Sequence, residues 1–270
     1  MMPQNTANKA CCALLYELPL TTLLLGESFH PGGNRLTRQL AEQALVGPGS
    51  QVLDIACGLG NSARLLAAEF GAAVTGVDYS RALLLQARQL TGAAGLSQRV
   101  NFQQAEARQL PFAKHTFDVV FCECALCTFM DAPGVLIEIL RVLKPGGRLA
   151  LSDILINAPI PEQLHSALGH ALCIAGARST NDYQSLMVAA GFKPPRCHDV
   201  SHALLDTVQQ IEQRLALAEV ITALQQTDLP REFCNPNETI SLARNFIQSG
   251  GLGYSLFVAR APFRESSWVI

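Results

Sequence analysis

From residue 51 onward the chain alternates between short apolar runs and stretches whose apolar positions recur every three to four residues. The apolar runs are 51–57 (QVLDIAC), 72–78 (AAVTGVD), 100–106 (VNFQQAE), 117–123 (FDVVFCE), 148–155 (RLALSDIL) and, much later, 253–261 (GYSLFVARA). Most are apolar on both faces, the pattern of strands covered by helices on either side. Helical spacing occupies 61–70, about 80–92, 135–143 and 181–190. Lys144-Pro145-Gly146-Gly147 stops the third of these, since proline cannot continue a helix and glycine accepts a left-handed cap. Strands separated by helices predict parallel βαβ units with right-handed crossovers, and so an open, doubly wound α/β sheet whose ligands sit beyond the carboxyl ends of the strands.

Two segments fall outside this alternation. Residues 1–50 carry two amphipathic helical pieces ahead of the sheet. Residues 203–250 place Leu204, Val208, Ile211 and Leu215, then Ile221 and Leu224, at roughly helical spacing before the last strand. The expected organisation is therefore an N-terminal helical cap (1–50), a core (51–202), a helical insertion over the acceptor pocket (203–250), and the last strand with a tail (251–270).

Composition narrows the partners. With 49% apolar residues, few charged ones and a formal net charge of −2 over 270 residues, the chain can bury a large core and shows no basic face for nucleic acid. No run approaches a membrane span, and MMPQNTANKACC does not read as a signal peptide. A cytoplasmic protein with a small-molecule partner, no nucleic acid and no membrane is expected; nothing fixes an oligomeric state. The nine cysteines are odd in number and are expected as thiols.

The chemistry begins at VLDIACGLGNS. Asp54-x-Ala56-x-Gly58-x-Gly60 ends a strand and opens a helix; glycine lets backbone approach a ligand, and the helix start offers free N–H groups. Ala63 stands where the dinucleotide fingerprint needs its third glycine, which disfavours a nicotinamide enzyme, and no Gly-Lys-Ser/Thr follows for a P-loop. Asp78 ends the second strand, where a carboxylate suits a ribose diol. Glu106 ends the third, within reach of a base amino group.

In order, VLDIACGLGNSA, GVDYS, AEARQLPF, FDVVFCECAL and RVLKPGGRLALSD resemble the successive motifs of class I S-adenosylmethionine-dependent methyltransferases of the methyltransferase type 11 kind, collinear over residues 50–155. The resemblance implies a Rossmann-like, doubly wound, mostly parallel seven-stranded sheet with S-adenosyl-L-methionine as cofactor. It assigns Asp54 and the backbone of Ala56, Cys57, Gly58 and Gly60 to the methionine part of that cofactor. It assigns Asp78 to the ribose, Tyr79, Glu106 and Ala107 to the adenine, and Glu123 to the methionine end. Two positions depart from the family pattern: Ala56 replaces the first glycine, and Glu106 replaces an aspartate.

A weaker similarity concerns the acceptor. Glu123-Cys124-Ala125-Leu126 and Cys173-Ile174-Ala175-Gly176-Ala177 resemble stretches of arsenite methyltransferases, and thiolates select soft centres. Cys124, Cys127 and Cys173 are thus candidates for a soft acceptor (arsenite, another metalloid, sulfide or a thiol), with packing as small hydrophobes the plain alternative. No structural metal site is expected, because a second C-x-x-C is lacking. His30, in FHPGGN, is a candidate to orient the acceptor or act as base. An oxygen, nitrogen or carbon acceptor on a small metabolite, and a non-catalytic cofactor-binding module, are the other readings.

Overall fold

The computed structural model describes residues 16–17, 19–165, 176–225 and 236–263. The core is a seven-stranded sheet: β1 (Gln51–Ile55), β2 (Ala73–Asp78), β3 (Val100–Gln104), β4 (Phe117–Glu123), β5 (Leu143–Ile156), β6 (Arg196–Asp199) and β7 (Leu252–Arg260). Their spatial order is β3-β2-β1-β4-β5-β7-β6. The first five strands run parallel, while β7 lies antiparallel between β5 and β6. The chain winds outward from β1 to β3 and then returns to place β4 on the other side of β1. That reversal opens a crevice beyond the ends of β1 and β4.

The helices are α1 (Pro19–Leu25), α2 (Gly33–Gln43), α3 (Asn61–Phe70), α4 (Arg81–Ala93), α5 (Ala132–Val142), α6 (Thr180–Ala189), α7 (His202–Gln225) and α8 (Pro236–Gln248). Their starts follow local chemistry. Ser80 caps α4 by accepting from the Leu83 N–H at 3.0 Å, Asp131 caps α5 by accepting from the Gly134 N–H at 3.0 Å, and Ser179 with Asp182 forms a capping box on α6. One sheet face packs on α2 and α3 through Leu36, Leu40, Leu66 and Phe121; the other packs on α5 and α6 through Leu53, Leu136, Ile139 and Met187. Outside the sheet, α1 packs on α7 and α7 on α8, with Leu25, Ile211, Leu215 and Ile240 forming a small separate apolar cluster.

Three details differ from the sequence pattern. The strand β6 (RCHD) has no apolar run: all four residues are exposed, because this strand borders the sheet and carries polar side chains on both faces. The LKPGG stretch ends α5 as expected, yet it also opens β5, with a register irregularity against β4 between Phe117 and Val119. The third strand stops at Gln104, so Glu106 lies in the loop beyond it, in an isolated bridge with Gln109.

Candidate functional site

Because strand side chains alternate, Asp54 on β1 and Glu123 at the end of β4 project to the same face, the one covered by α2 and α3. Both are buried. Glu123 receives the Thr37 hydroxyl on Oε1 at 3.1 Å and the Ser62 hydroxyl on Oε2 at 2.5 Å, and His30 Nε2 lies 3.7 Å from Oε2. Asp54 is treated differently: its Oδ2 is buried with no hydrogen-bond partner. Burial, then the charges of Glu123 and Asp78, hold its carboxyl well above the usual carboxylate range.

The loop after β1 turns through Ala56 at φ 57°, Gly58 at 51° and Gly60 at 72°. Ala56 therefore occupies the left-handed region with its methyl exposed, at the position where the family pattern has glycine. The Gly58 N–H donates to Asp78 Oδ2 at 2.9 Å, and the Ser80 N–H donates to Oδ1 at 2.8 Å. Asp78 is thereby fixed at the lip of the crevice, its carboxyl raised first by burial and pulled back by these N–H donors.

A cavity of about 360 Å³ fills the crevice, lined by Ala56, Gly58, Asp78, Tyr79, Glu106, Ala107, Glu123 and Cys124 among the expected residues, with Ile55, Val77, Leu83 and Val135 as its apolar floor. A second cavity of about 450 Å³ lies beside it under α1, α7 and α8, and His30 is on its wall. Tyr16, Phe29 and Cys124 line both. Phe29 forms the partition: a Cβ on Gly58 would stand 3.0 Å from its ring, and its ring centroid is 5.4 Å from that of Tyr16.

Several expected residues are placed elsewhere. Cys57 and Gly60 are not on the cavity wall. The space a Gly60 Cβ would need holds the Phe102 ring, 2.5 Å away, so a bare glycine here lets the loop pack onto β3. The Cys57 sulfur lies against Gly76, 2.9 Å from the Cβ that glycine lacks, and burial pushes its thiol up. Asp54 stands behind the loop, beside Glu123. Cys127 is buried in the turn Leu126–Thr128, where its N–H donates to Asp153 Oδ2 at 2.9 Å and its carbonyl occupies the space that a side chain at Gly176 would need. Cys173 lies outside the described residues. Cys122 is core, and burial raises its thiol. Of the two soft-acceptor thiols among the described residues, Cys124 and Cys127, Cys124 lines a cavity and Cys127 does not, and no cluster of three metal-binding side chains occurs among the described residues.

Thr37 and Ser62 carry none of the motif chemistry, and reasoning from the sequence missed both. Thr37 had one signal: it interrupts the apolar face Leu36, Leu40, Ala41 of α2 with a hydroxyl.

The cavity lining fits an adenosyl-sulfonium ligand: a fixed carboxyl at the second strand end for a diol, the Glu123 carboxyl on the wall for a cationic group, and an apolar slot for a base. An open, mostly parallel sheet with this crevice defines the Rossmann-like class of fold. Residues 53–151 match the family described as "Methyltransferase domain". The chain is 31% identical over 258 residues to 27-O-demethylrifamycin SV methyltransferase of Amycolatopsis mediterranei, covering 88% of this chain and 92% of that protein. It is 36% identical to methyltransferase GfsG of Streptomyces halstedii over 63% of this chain, a match that spans 62% of that relative's length. Its fold is similar to that of the [4+2]-cyclase SpnF, with TM-score 0.73, 23% identity and coverage of 96% and 95%. The chain belongs to the class I S-adenosylmethionine-dependent methyltransferase family.

Proposed function

We propose that the chain transfers a methyl group from S-adenosylmethionine to a hydroxyl oxygen of a bulky, largely apolar small molecule, with His30 taking the hydroxyl proton. The observation that carries this reading is the position of His30. Its side chain is 7% exposed, lines the second cavity, and stands 3.7 Å from the Glu123 carboxylate that lines the first. Leu25, Ile154, Leu204, Val208 and Ile247 give the second cavity an apolar wall suited to a carbon skeleton. Relatives carrying an O-methyltransferase name support the choice of oxygen, including one from Penicillium expansum at 34% identity over 60% of this chain.

When bound, S-adenosylmethionine supplies an electrophilic methyl on a sulfonium leaving group. The chain's own work is positional. Asp78 would hold the ribose hydroxyls, Tyr79, Glu106 and Ala107 the adenine, and Asp54 with the loop at Ala56 and Gly58 the methionine end. Phe29 and Tyr16 would exclude water where the cavities meet. Helices α1, α2, α7 and α8 would cover the acceptor, and His30 would hold its proton. A hydroxyl, unlike a trivalent metalloid, needs that proton removed.

The test is transfer of labelled methyl to a panel of apolar alcohols and phenols, with arsenite and simple thiols alongside, read by mass spectrometry. The expected product is a methyl ether, formed also by Cys124→Ala. A methylated metalloid or thiol, lost on Cys124→Ala, would restore the soft-acceptor reading.

A further inference from the structure

The loop beyond β3 is tied down at both ends. At its start the Ala105 N–H donates to the Asp78 carbonyl at 3.1 Å. At its far end the Leu110 N–H donates to Glu138 Oε1 at 2.7 Å, and Arg141 donates to the Phe112 carbonyl at 2.8 Å and the Leu110 carbonyl at 3.1 Å. Glu138 and Arg141 both stand on α5. Between these anchors the chain reverses at Ala107 and Arg108: Glu106 and Gln109 form the isolated bridge, and the Gln109 N–H donates to the Glu106 carbonyl at 2.9 Å. Glu106, Ala107 and Arg108 all line the first cavity.

An ion pair joins the tip of this turn to the start of α5. Arg108 Nε lies 3.0 Å from Asp131 Oδ2, and Asp131 lines the same cavity, so the pair connects two loops across the cavity wall. The partners are unequal. Asp131 is held in place, because its Oδ1 accepts from the Gly134 N–H at 3.0 Å and caps α5. The Arg108 side chain is 63% exposed and rides on the turn. Gly134 bears on the same carboxylate. A Cβ there would fall on Asp131 Oδ2, the oxygen that meets Arg108. The first turn of α5 thus carries a residue of poor helix propensity where any side chain would push that oxygen away.

We propose that Arg108 and Asp131 are positioning residues for the cofactor: together they latch the 106–109 turn over the first cavity, and unlatching sets how fast S-adenosylmethionine enters and S-adenosylhomocysteine leaves. The inference rests on the first cavity being the cofactor site and is independent of the acceptor. An exposed ion pair adds little to fold stability and is screened by salt, which suits a catch that opens in every turnover. The latch joins protein to protein, so breaking it speeds entry and exit alike and leaves affinity nearly unchanged.

The experiment follows S-adenosylhomocysteine on the full chain by surface plasmon resonance, which reads association and dissociation separately and needs no acceptor. Arg108→Met keeps the apolar stem and removes the charge. Asp131→Asn removes the other charge and still caps α5. Gly134→Ala keeps both charges and takes the room of the carboxyl. Each should speed association and dissociation together by about two- to fivefold, the reach of an exposed ion pair, with the dissociation constant held within about twofold. The double variant Arg108→Met/Asp131→Asn should be no faster than either single one. Wild-type rates should rise with salt more steeply than those of the double variant. Unchanged rates in Arg108→Met, or single effects that multiply in the double variant, would overturn the latch. So would a loss of affinity confined to Arg108→Met, which would make Arg108 a direct ligand contact. Asp78→Ala is the control for the site itself. If it weakens binding while the three variants keep wild-type rates, the latch falls and the cofactor site stands. If binding is indifferent to Asp78→Ala, the site is misplaced and the latch falls with it.

Discussion

The Gly58 N–H donates to Asp78 Oδ2 at 2.9 Å, tying the turn after β1 to the end of β2. This contact makes the loop and the acid one unit. The same carboxylate that would bind a diol also sets the height of the backbone on which the ligand would rest. Asp78→Ala should therefore weaken S-adenosylhomocysteine binding by about 10- to 100-fold, the scale of hydrogen bonds to a charged group. Calorimetry reads this directly. Absence of binding by the wild type at millimolar ligand would favour a non-catalytic scaffold.

Asp54 offers a pH-dependent test. Its carboxyl is raised by burial first and then by Glu123 and Asp78, and its Oδ2 has no partner. A carboxyl that protonates more readily in the folded state stabilises the fold below its unfolded pKa of about 3.9, and that contribution is lost as pH rises through the folded value. Asp54→Asn cannot ionise. Without ligand it should match the wild type near pH 4 and exceed it by about 1–3 kcal/mol near pH 8, the cost of an unsatisfied buried group. Thermal melts across that range check it, and parallel pH curves would refute it.

Ala56 carries left-handed backbone at φ 57°. Ala56→Gly removes that strain, about 1–2 kcal/mol, and adds about 0.4–1 kcal/mol of unfolded-state entropy. The net expectation is a stabilisation of up to about 1 kcal/mol in urea unfolding, whereas Ala56→Val should destabilise.

Gly60 should tolerate nothing larger. Gly60→Ala places a methyl 2.5 Å from Phe102 at φ 72°, so both overlap and backbone strain oppose it. A loss of about 2–4 kcal/mol is expected. Phe102→Ala should be less harmful in the Gly60→Ala background than alone, which a double-mutant cycle measures.

His30→Ala should lower kcat for an oxygen acceptor by about 10²- to 10⁴-fold, the usual contribution of a general base, while cofactor affinity stays near that of the wild type. Steady-state kinetics with a methylated member of the alcohol panel separates the two.

The parallel sheet was legible because its strands are buried on both faces and its helices keep a 3.6-residue period; 61–70 and 117–123 agree residue for residue with α3 and β4. The edge strand β6 was not, since an exposed RCHD has no apolar period to read. Asp78 and the Gly58 turn on the crevice wall were legible because strand ends are fixed by local pattern, whereas Glu106 reaches that wall from the loop beyond β3.

The linear order of residues was enough to specify the class of sheet, the crevice beyond β1 and β4, and the acids around it. Packing decided which thiols reach a cavity: Cys124 does, while the backbone of Cys127 is consumed by Asp153. Packing also brought Thr37, Ser62 and His30, which lie 61 to 93 residues from Glu123 in the chain, onto one carboxylate. Periodicity reports which face of an element is buried. It carries no information about which two buried faces meet, and hydrogen bonds between distant elements exist only once they do.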